Sequence, residues 1–151
     1  MNESHGKTGT ATRGVTPLNA GSTLVNFLDV ADSLYERIGT ALAEVGLSFP
    51  KYEVLAHLSV THDAVSLGDL ALGQKCARSN ITQIIDRLEA EGLVRRVADP
   101  TDRRSVLAEL TPEGAAMAEQ GSAQLEKLRI EFDAALGPDR VELDRLLAKL
   151  R

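Results

Sequence analysis

A mainly α-helical fold carrying one small β-hairpin follows from three features of this 151-residue chain. Aromatic residues are scarce, with three Phe, two Tyr and no Trp, while 43% of residues are hydrophobic and 26% charged, a balance that favours helices packed by aliphatic side chains. Apolar residues recur at three- and four-residue steps over long stretches from Ser22 onward. Two short β-capable runs, "LVRRVA" and "SVLAEL", break that pattern on either side of "DPTDRR". The length suffices for one domain with a real core.

The elements follow in order. Residues 1–20 are rich in Gly, Thr, Ser and Asn without periodicity and read as a flexible N-terminal tail, leaving residues 21–151 as the folded unit. Between Ser22 and Val45 the residues Leu24, Phe27, Leu28, Ala31, Leu34, Tyr35, Ile38, Leu42 and Val45 form one stripe of a long amphipathic helix, stopped by Gly46. "SFPKYEVLAHLSV" supplies a cap-like Ser48, Pro50 in a first turn and the apolar set Tyr52, Val54, Leu55 and Leu58, hence a second helix. In "SLGDLALGQ", Ser66 and Asp69 resemble a capping box that opens a short third helix.

After a break from Gly73 to Ala77, Ile81, Ile84, Ile85 and Leu88 fall at i, i+3, i+4 and i+7. Burying that stripe turns Arg78, Asn80, Gln83 and Arg87 towards solvent, and Gly92 ends the helix. The two β-capable runs then make a hairpin with Arg103 and Arg104 at or near its tip. Thr111 caps a further helix with Pro112 at its first position, "GP" breaks it after Leu136, and "DRVELDRLLAKL" closes the chain with Val141, Leu143, Leu146, Leu147 and Leu150 on one side.

Two helices joined by a tight turn, the second exposing hydrogen-bonding side chains, make a helix-turn-helix, and a hairpin directly after it with adjacent arginines makes a winged helix. Charge supports a polyanionic partner only locally. The net charge is −5, distributed as −4 over residues 1–73, +2 over 74–108 and −3 over 109–151. Double-stranded DNA is therefore the expected partner of the middle segment, the helix addressing the major groove and the hairpin the minor groove.

Other function classes find little support. No run approaches the roughly 18 apolar residues of a membrane span, and the first residues lack the apolar core of a secretory signal, so a cytoplasmic protein is expected. A single cysteine excludes an internal disulfide framework. His57 and His62 are five apart, off the spacing that puts two ligands on one helix face, and His5 is in the tail, so no metal and no other cofactor is expected. Phosphate-binding glycine loops, nucleophile elbows and metal-ligand clusters are missing from the sequence, which reads as a non-enzyme.

"RSNITQIIDRLEAEGLVRR" followed by "DPTDRRSVLAELTPEG", with long helices on both sides, resembles the multiple-antibiotic-resistance regulator (MarR) family over roughly Ser22 to Arg151. The resemblance implies a cytoplasmic, homodimeric winged helix-turn-helix repressor that binds an inverted-repeat operator. Its DNA-binding part would span about residues 48–110 and its dimerisation helices about 22–46 and 112–151. It further implies release by a small aromatic or lipophilic effector. Arg78, Ser79, Asn80, Thr82 and Gln83 match the recognition helix, Arg104 matches the wing-tip arginine with Arg103 beside it, and Asp102 matches the acid that orients that arginine. Arg is suited to guanine, Asn and Gln to adenine, and Ser and Thr to phosphates or bases.

Three features leave alternatives open. Ala77 stands where relatives commonly have Ser or Thr, so the recognition helix lacks a side-chain cap. Cys76, at the helix start, would make a thiol-responsive repressor if oxidised, or serves as a core filler. The net charge of −5 also admits a winged-helix module that binds protein and not DNA. Tyr35, Tyr52 and His57 are candidates for lining an effector pocket.

Overall fold

The computed structural model describes residues 22–102 and 105–150; the expected tail at 1–20, together with Arg103 and Arg104, lies outside the described residues. The chain divides into two compact units, Met1–Leu34 and Tyr35–Arg151. Helix α1 spans Thr23–Ala43. In the first unit its start is capped by Ser22, whose Oγ accepts from the Val25 N–H at 3.2 Å and whose carbonyl accepts from the Asn26 N–H at 3.1 Å. Leu24, Phe27, Leu28 and Val30 there are exposed.

The second unit continues with α2 (Phe49–Thr61), β1 (Val65–Ser66), α3 (Leu67–Gly73), α4 (Arg78–Ala90), β2 (Val94–Ala98), β3 (Val106–Leu110), α5 (Pro112–Leu136), a 3-10 turn at Gly137–Asp139, and α6 (Arg140–Ala148). Helix α1 ends as the sequence predicts: Gly46 has φ 77°, the Gly46 N–H donates to Ala43 and the Leu47 N–H to Leu42, closing off the last carbonyls. Ser48 occupies the cap position of α2, but its side chain accepts no backbone N–H; Pro50 in the first turn already removes one of the orphan donors.

At α3 the capping box is only half formed. Ser66 Oγ accepts from the Asp69 N–H at 3.1 Å, while the shorter Asp69 carboxylate accepts from the Ser66 hydroxyl at 2.7 Å and not from a backbone donor. The turn into α4 uses Lys75 in the left-handed region (φ 50°), with the Cys76 N–H reaching Ala71. A non-glycine residue holds that conformation at a cost of roughly 1 kcal/mol, offset by the tight helix junction it creates.

The sheet has three antiparallel strands in the order β1-β3-β2, one more than the hairpin read from sequence. Val65 pairs with Ala108 and Ser66 with Leu107. Two residues carry no detectable period, which is why this strand is silent in the sequence. Between β2 and β3 the register runs from Val94 opposite Leu110 to Ala98 opposite Val106.

One aliphatic core serves the second unit: Leu42, Leu47, Val54, Leu55, Leu58, Leu67, Leu70, Ile81, Ile85, Leu88, Leu93, Val94 and Ala108 are all buried, as is Ala118 of α5. Each fully buried Leu or Ile contributes about 1.5–3 kcal/mol. Helix α5 starts as expected, Thr111 Oγ1 accepting from the Gly114 N–H at 3.0 Å, and the same hydroxyl donates to the Gly92 carbonyl at 2.8 Å. That contact brings the first turn of α5 so close to the end of α4 that a Cβ on Gly114 would lie 1.9 Å from the Leu93 carbonyl oxygen. Backbone cannot yield as a side chain does. Gly114→Ala is expected to destabilise the fold by on the order of 3 kcal/mol, measured as a lowered urea midpoint at unchanged m-value.

Candidate nucleic-acid interface

Helix α4 sets the site. Ile81, Ile85 and Leu88 are each 0% exposed, which fixes the helix's rotation about its own axis. Ser79, Asn80, Gln83 and Arg87 are consequently exposed on the other side, as the sequence spacing requires, while Arg78, in line with the buried stripe, is exposed as the first residue of the helix. Thr82 differs. It is half-buried, and its hydroxyl donates to the Arg78 carbonyl one turn back at 3.0 Å, which leaves its oxygen only as an acceptor. Ala77 is the N-cap and makes no side-chain cap, so the first amide donors of α4 are not covered by a side chain.

Asn80, Gln83, Ile84 and Arg87 line one wall of a groove of about 230 Å³ whose other wall is Ser48, Pro50 and Lys51 at the start of α2. Lys51 is held by an ion pair to Glu91, just past the end of α4. The groove thus combines an amide-bearing side-chain pair with the cations Arg87 and Lys51.

Beside α4 stands the β2–β3 hairpin. Two of the basic residues that make the middle of the sequence positive do not face outward freely. Arg95 Nε donates to Glu109 across the strand pair at 2.7 Å. Arg96 forks onto α4, Nη2 donating to Asp86 Oδ1 at 2.5 Å and Nη1 to Glu89, while its backbone N–H donates to Glu89 Oε1 at 3.1 Å. These bonds, to Asp86 first, raise the Arg96 pKa further above its ordinary value and keep it a fixed cation. The pattern was readable as "DRLE" followed by "VRR": acids three residues apart on one helix face, then a base after the turn. Charge counting alone missed it. Among the described residues Arg78 and Arg87 form no ion pair, and they remain the outward cations of α4.

The loop between the strands is shaped by Asp99. Its Oδ1 accepts from the Thr101 hydroxyl at 2.7 Å, the Thr101 N–H at 2.8 Å and the Asp102 N–H at 3.2 Å, and the Ser105 N–H donates to the Asp102 carbonyl at 2.9 Å. Asp102 is therefore held at both its N–H, by Asp99, and its carbonyl, by Ser105. The expected roles of Arg103 and Arg104, and of Asp102 towards Arg104, involve residues outside the described set.

The three candidates for an effector pocket are in different surroundings. Tyr52 lines a cleft of about 610 Å³ between α2 and α5 with Ala56, Val60, Ala116, Ala118 and Glu119, and its hydroxyl is 3.1 Å from Ser122 Oγ. Tyr35 meets Phe49 edge to face at 6.1 Å, and His57 packs beside Gly73 of α3; neither lines that cleft. Cys76 is half-buried against the aliphatic core. Among the described residues no cluster of three or more His, Cys, Asp or Glu could hold a metal ion, and no helix is long and apolar enough to cross a membrane.

The sequence profile of the MarR family matches residues 47–106, the stretch from the end of α1 to the start of β3. The HTH-type transcriptional repressor Rv2887 of Mycobacterium tuberculosis is 30% identical over 118 residues, 78% of this chain and 84% of that protein. The chain belongs to the MarR family. The crystal structure of AbsC, a MarR family transcriptional regulator from Streptomyces coelicolor, superposes with a TM-score of 0.76 at 30% identity, covering 92% of this chain and 95% of AbsC. The transcriptional activatory protein BadR of Rhodopseudomonas palustris is 36% identical over 85 residues, and the chain spans only 49% of BadR's length. MarR relatives thus include a named repressor and a named activator, and both are named as regulators of transcription. The winged-helix fold read from the sequence is the fold of this MarR chain.

Asp99 provides a pH test of the loop. Hydrogen bonds from the Thr101 hydroxyl and then the Thr101 N–H hold its carboxyl below its usual 3.8. A depressed folded pKa means that the loop's support is complete at neutral pH and is lost only as pH falls through that lowered value. Carboxyl NMR titration is expected to give an Asp99 midpoint below 3.8, with the Thr101 amide signal moving in step. A midpoint at or above 3.8 refutes the hydrogen-bonded turn.

Proposed function

We propose that this protein is a sequence-specific DNA-binding transcriptional regulator, acting as a homodimer on an inverted-repeat operator and released by a small aromatic or lipophilic effector. The observation that carries the reading is the division of α4: three aliphatic side chains fully buried, Ser79, Asn80, Gln83 and Arg87 exposed on the opposite side, and Arg78 exposed at the helix start. A helix so anchored can enter the major groove as a rigid rod, with Arg and Gln or Asn matched in donor and acceptor geometry to base edges. Thr82 then serves as an acceptor from its half-buried position. Arg103 and Arg104 belong to the wing in this reading, reaching towards the minor groove and its phosphates with Asp102 orienting Arg104.

Assembly as a dimer is supported by apolar side chains left in solvent: Leu24, Phe27, Leu28 and Val30 in the first unit, and Ile130, Val141, Leu146 and Leu150 in the second. Two reading heads related by a twofold axis match a palindromic site. For the effector, the cleft at Tyr52, Ala56, Val60, Ala116 and Ala118 offers apolar walls and the polar Ser122 and Glu119 at its rim. Whether it represses or activates depends on where the operator lies relative to a promoter, and the family members named above include both.

Selection of bound sequences from random duplex DNA tests the reading. The expected product is a palindrome bound by a dimer in light scattering, with affinity falling steeply as salt rises. On that duplex Gln83→Ala is expected to relax preference at one base position, losing roughly 1–3 kcal/mol of discrimination. Arg104→Ala should instead weaken all sequences and lower the salt slope by about one. No enriched sequence, or salt-independent binding, overturns the proposal.

A further inference from the structure

We infer that Arg96 is a positioning residue that sets the angle of the hairpin against the reading helix, with Asp86 and Glu89 as its anchor; the inference rests on the DNA-binding reading above. Arg96 leaves the middle of β2, and its two carboxylate partners lie three residues apart on α4, one turn of the same face. Three bonds run from this one residue to one helix: two from the guanidinium fork and one from the backbone N–H. A single ion pair permits pivoting, whereas a planar fork combined with a main-chain bond defines both distance and rotation.

The same geometry excludes Arg96 as a phosphate contact of its own. Both terminal nitrogens are engaged and its side chain is 27% exposed, against 65% for Arg95 on the neighbouring residue. Asp86 and Glu89 in turn have no evident use on a DNA-reading helix except this one, since an unpaired carboxylate there repels phosphate. Arg96 offsets one of their two charges and converts their position into wing alignment. The wing and the helix then present their contacts at one fixed separation, which two grooves of a single duplex require.

Variants at the anchor distinguish alignment from charge. Glu89→Gln keeps an oxygen for the Arg96 N–H and removes one negative charge; Asp86→Asn does likewise for the fork. On the selected duplex, each is expected to bind about fivefold more weakly despite the added positive balance, and Arg96→Lys, which preserves charge and loses the fork, is expected to weaken binding as much. The double variant Arg96→Gln/Glu89→Gln should bind no more weakly than Arg96→Gln alone, because both changes break the same link. Tighter binding by Glu89→Gln, or full rescue by Lys at position 96, overturns the proposal.

A second readout needs no DNA. In the free protein, amide hydrogen exchange at Arg96 and Val97 is expected to quicken in Asp86→Asn and Arg96→Lys, with the rest of the core protected as in the parent. If the parent selects no duplex, the DNA-binding reading fails while exchange still reports on the alignment. Unchanged exchange in both variants overturns the positioning role whatever the DNA result.

Discussion

Everything on the exposed face of α4 depends on three side chains that never touch solvent. Ile81, Ile85 and Leu88 enter the aliphatic core beside Val54, Leu55, Leu58, Leu67 and Leu70, and that burial decides which side of α4 faces outward. The helix is otherwise poorly fastened at its start: Ala77 gives no cap, and Lys75 sits in a left-handed conformation just before it. Packing at about 1.5–3 kcal/mol per buried aliphatic side chain outweighs a missing cap worth about 1 kcal/mol. Orientation is thus a product of hydrophobic burial, and the polar residues are passengers of a rotation fixed from behind.

The hairpin is positioned by a different physics. Its strands are short, and Val94 and Ala108 are the only residues of β2 and β3 that are fully buried, so apolar packing holds the hairpin at few points. Directional bonds supply what area does not. Thr111 ties the start of α5 to Gly92, Arg96 ties β2 to α4, and Asp99 shapes the connecting loop. A hydrophobic core for the helix and hydrogen-bonded ties for the wing divide the work between a non-directional force and directional ones.

Much of this was legible from sequence because helix periods are long enough to read. The 3.6-residue pattern identified α1, α2, α4, α5 and α6, and Gly46, Thr111, Pro112 and the Gly-Pro pair marked ends that the structure reproduces within a residue or two. Strand β1 was not legible, being two residues long and defined only by its partner β3. Exposure along α4 was read correctly at Arg78, Asn80, Gln83 and Arg87, whereas Thr82 was assigned to the recognition helix without the turn-back of its hydroxyl. Long-range pairings are hardest: the acids of "DRLE" are visible three residues apart, but nothing local says that Arg96 and not Arg95 is their partner, and Tyr35, Tyr52 and His57 share no periodic signal that would place them in one cleft or in three places.

Strand β2 lies at the outside of the three-stranded sheet, and an outer strand normally offers a row of unsatisfied amides on which a second chain can build. Here Glu89 takes the amide of Arg96, the central residue of the strand, so the row is interrupted at its midpoint by a side chain from the same molecule. Arg95 and Arg96 add charge along the same edge. The carboxylate that ties β2 to α4 therefore also occupies an amide on which an added strand would build, and loss of Glu89 would be felt as poorer colloidal behaviour at high concentration.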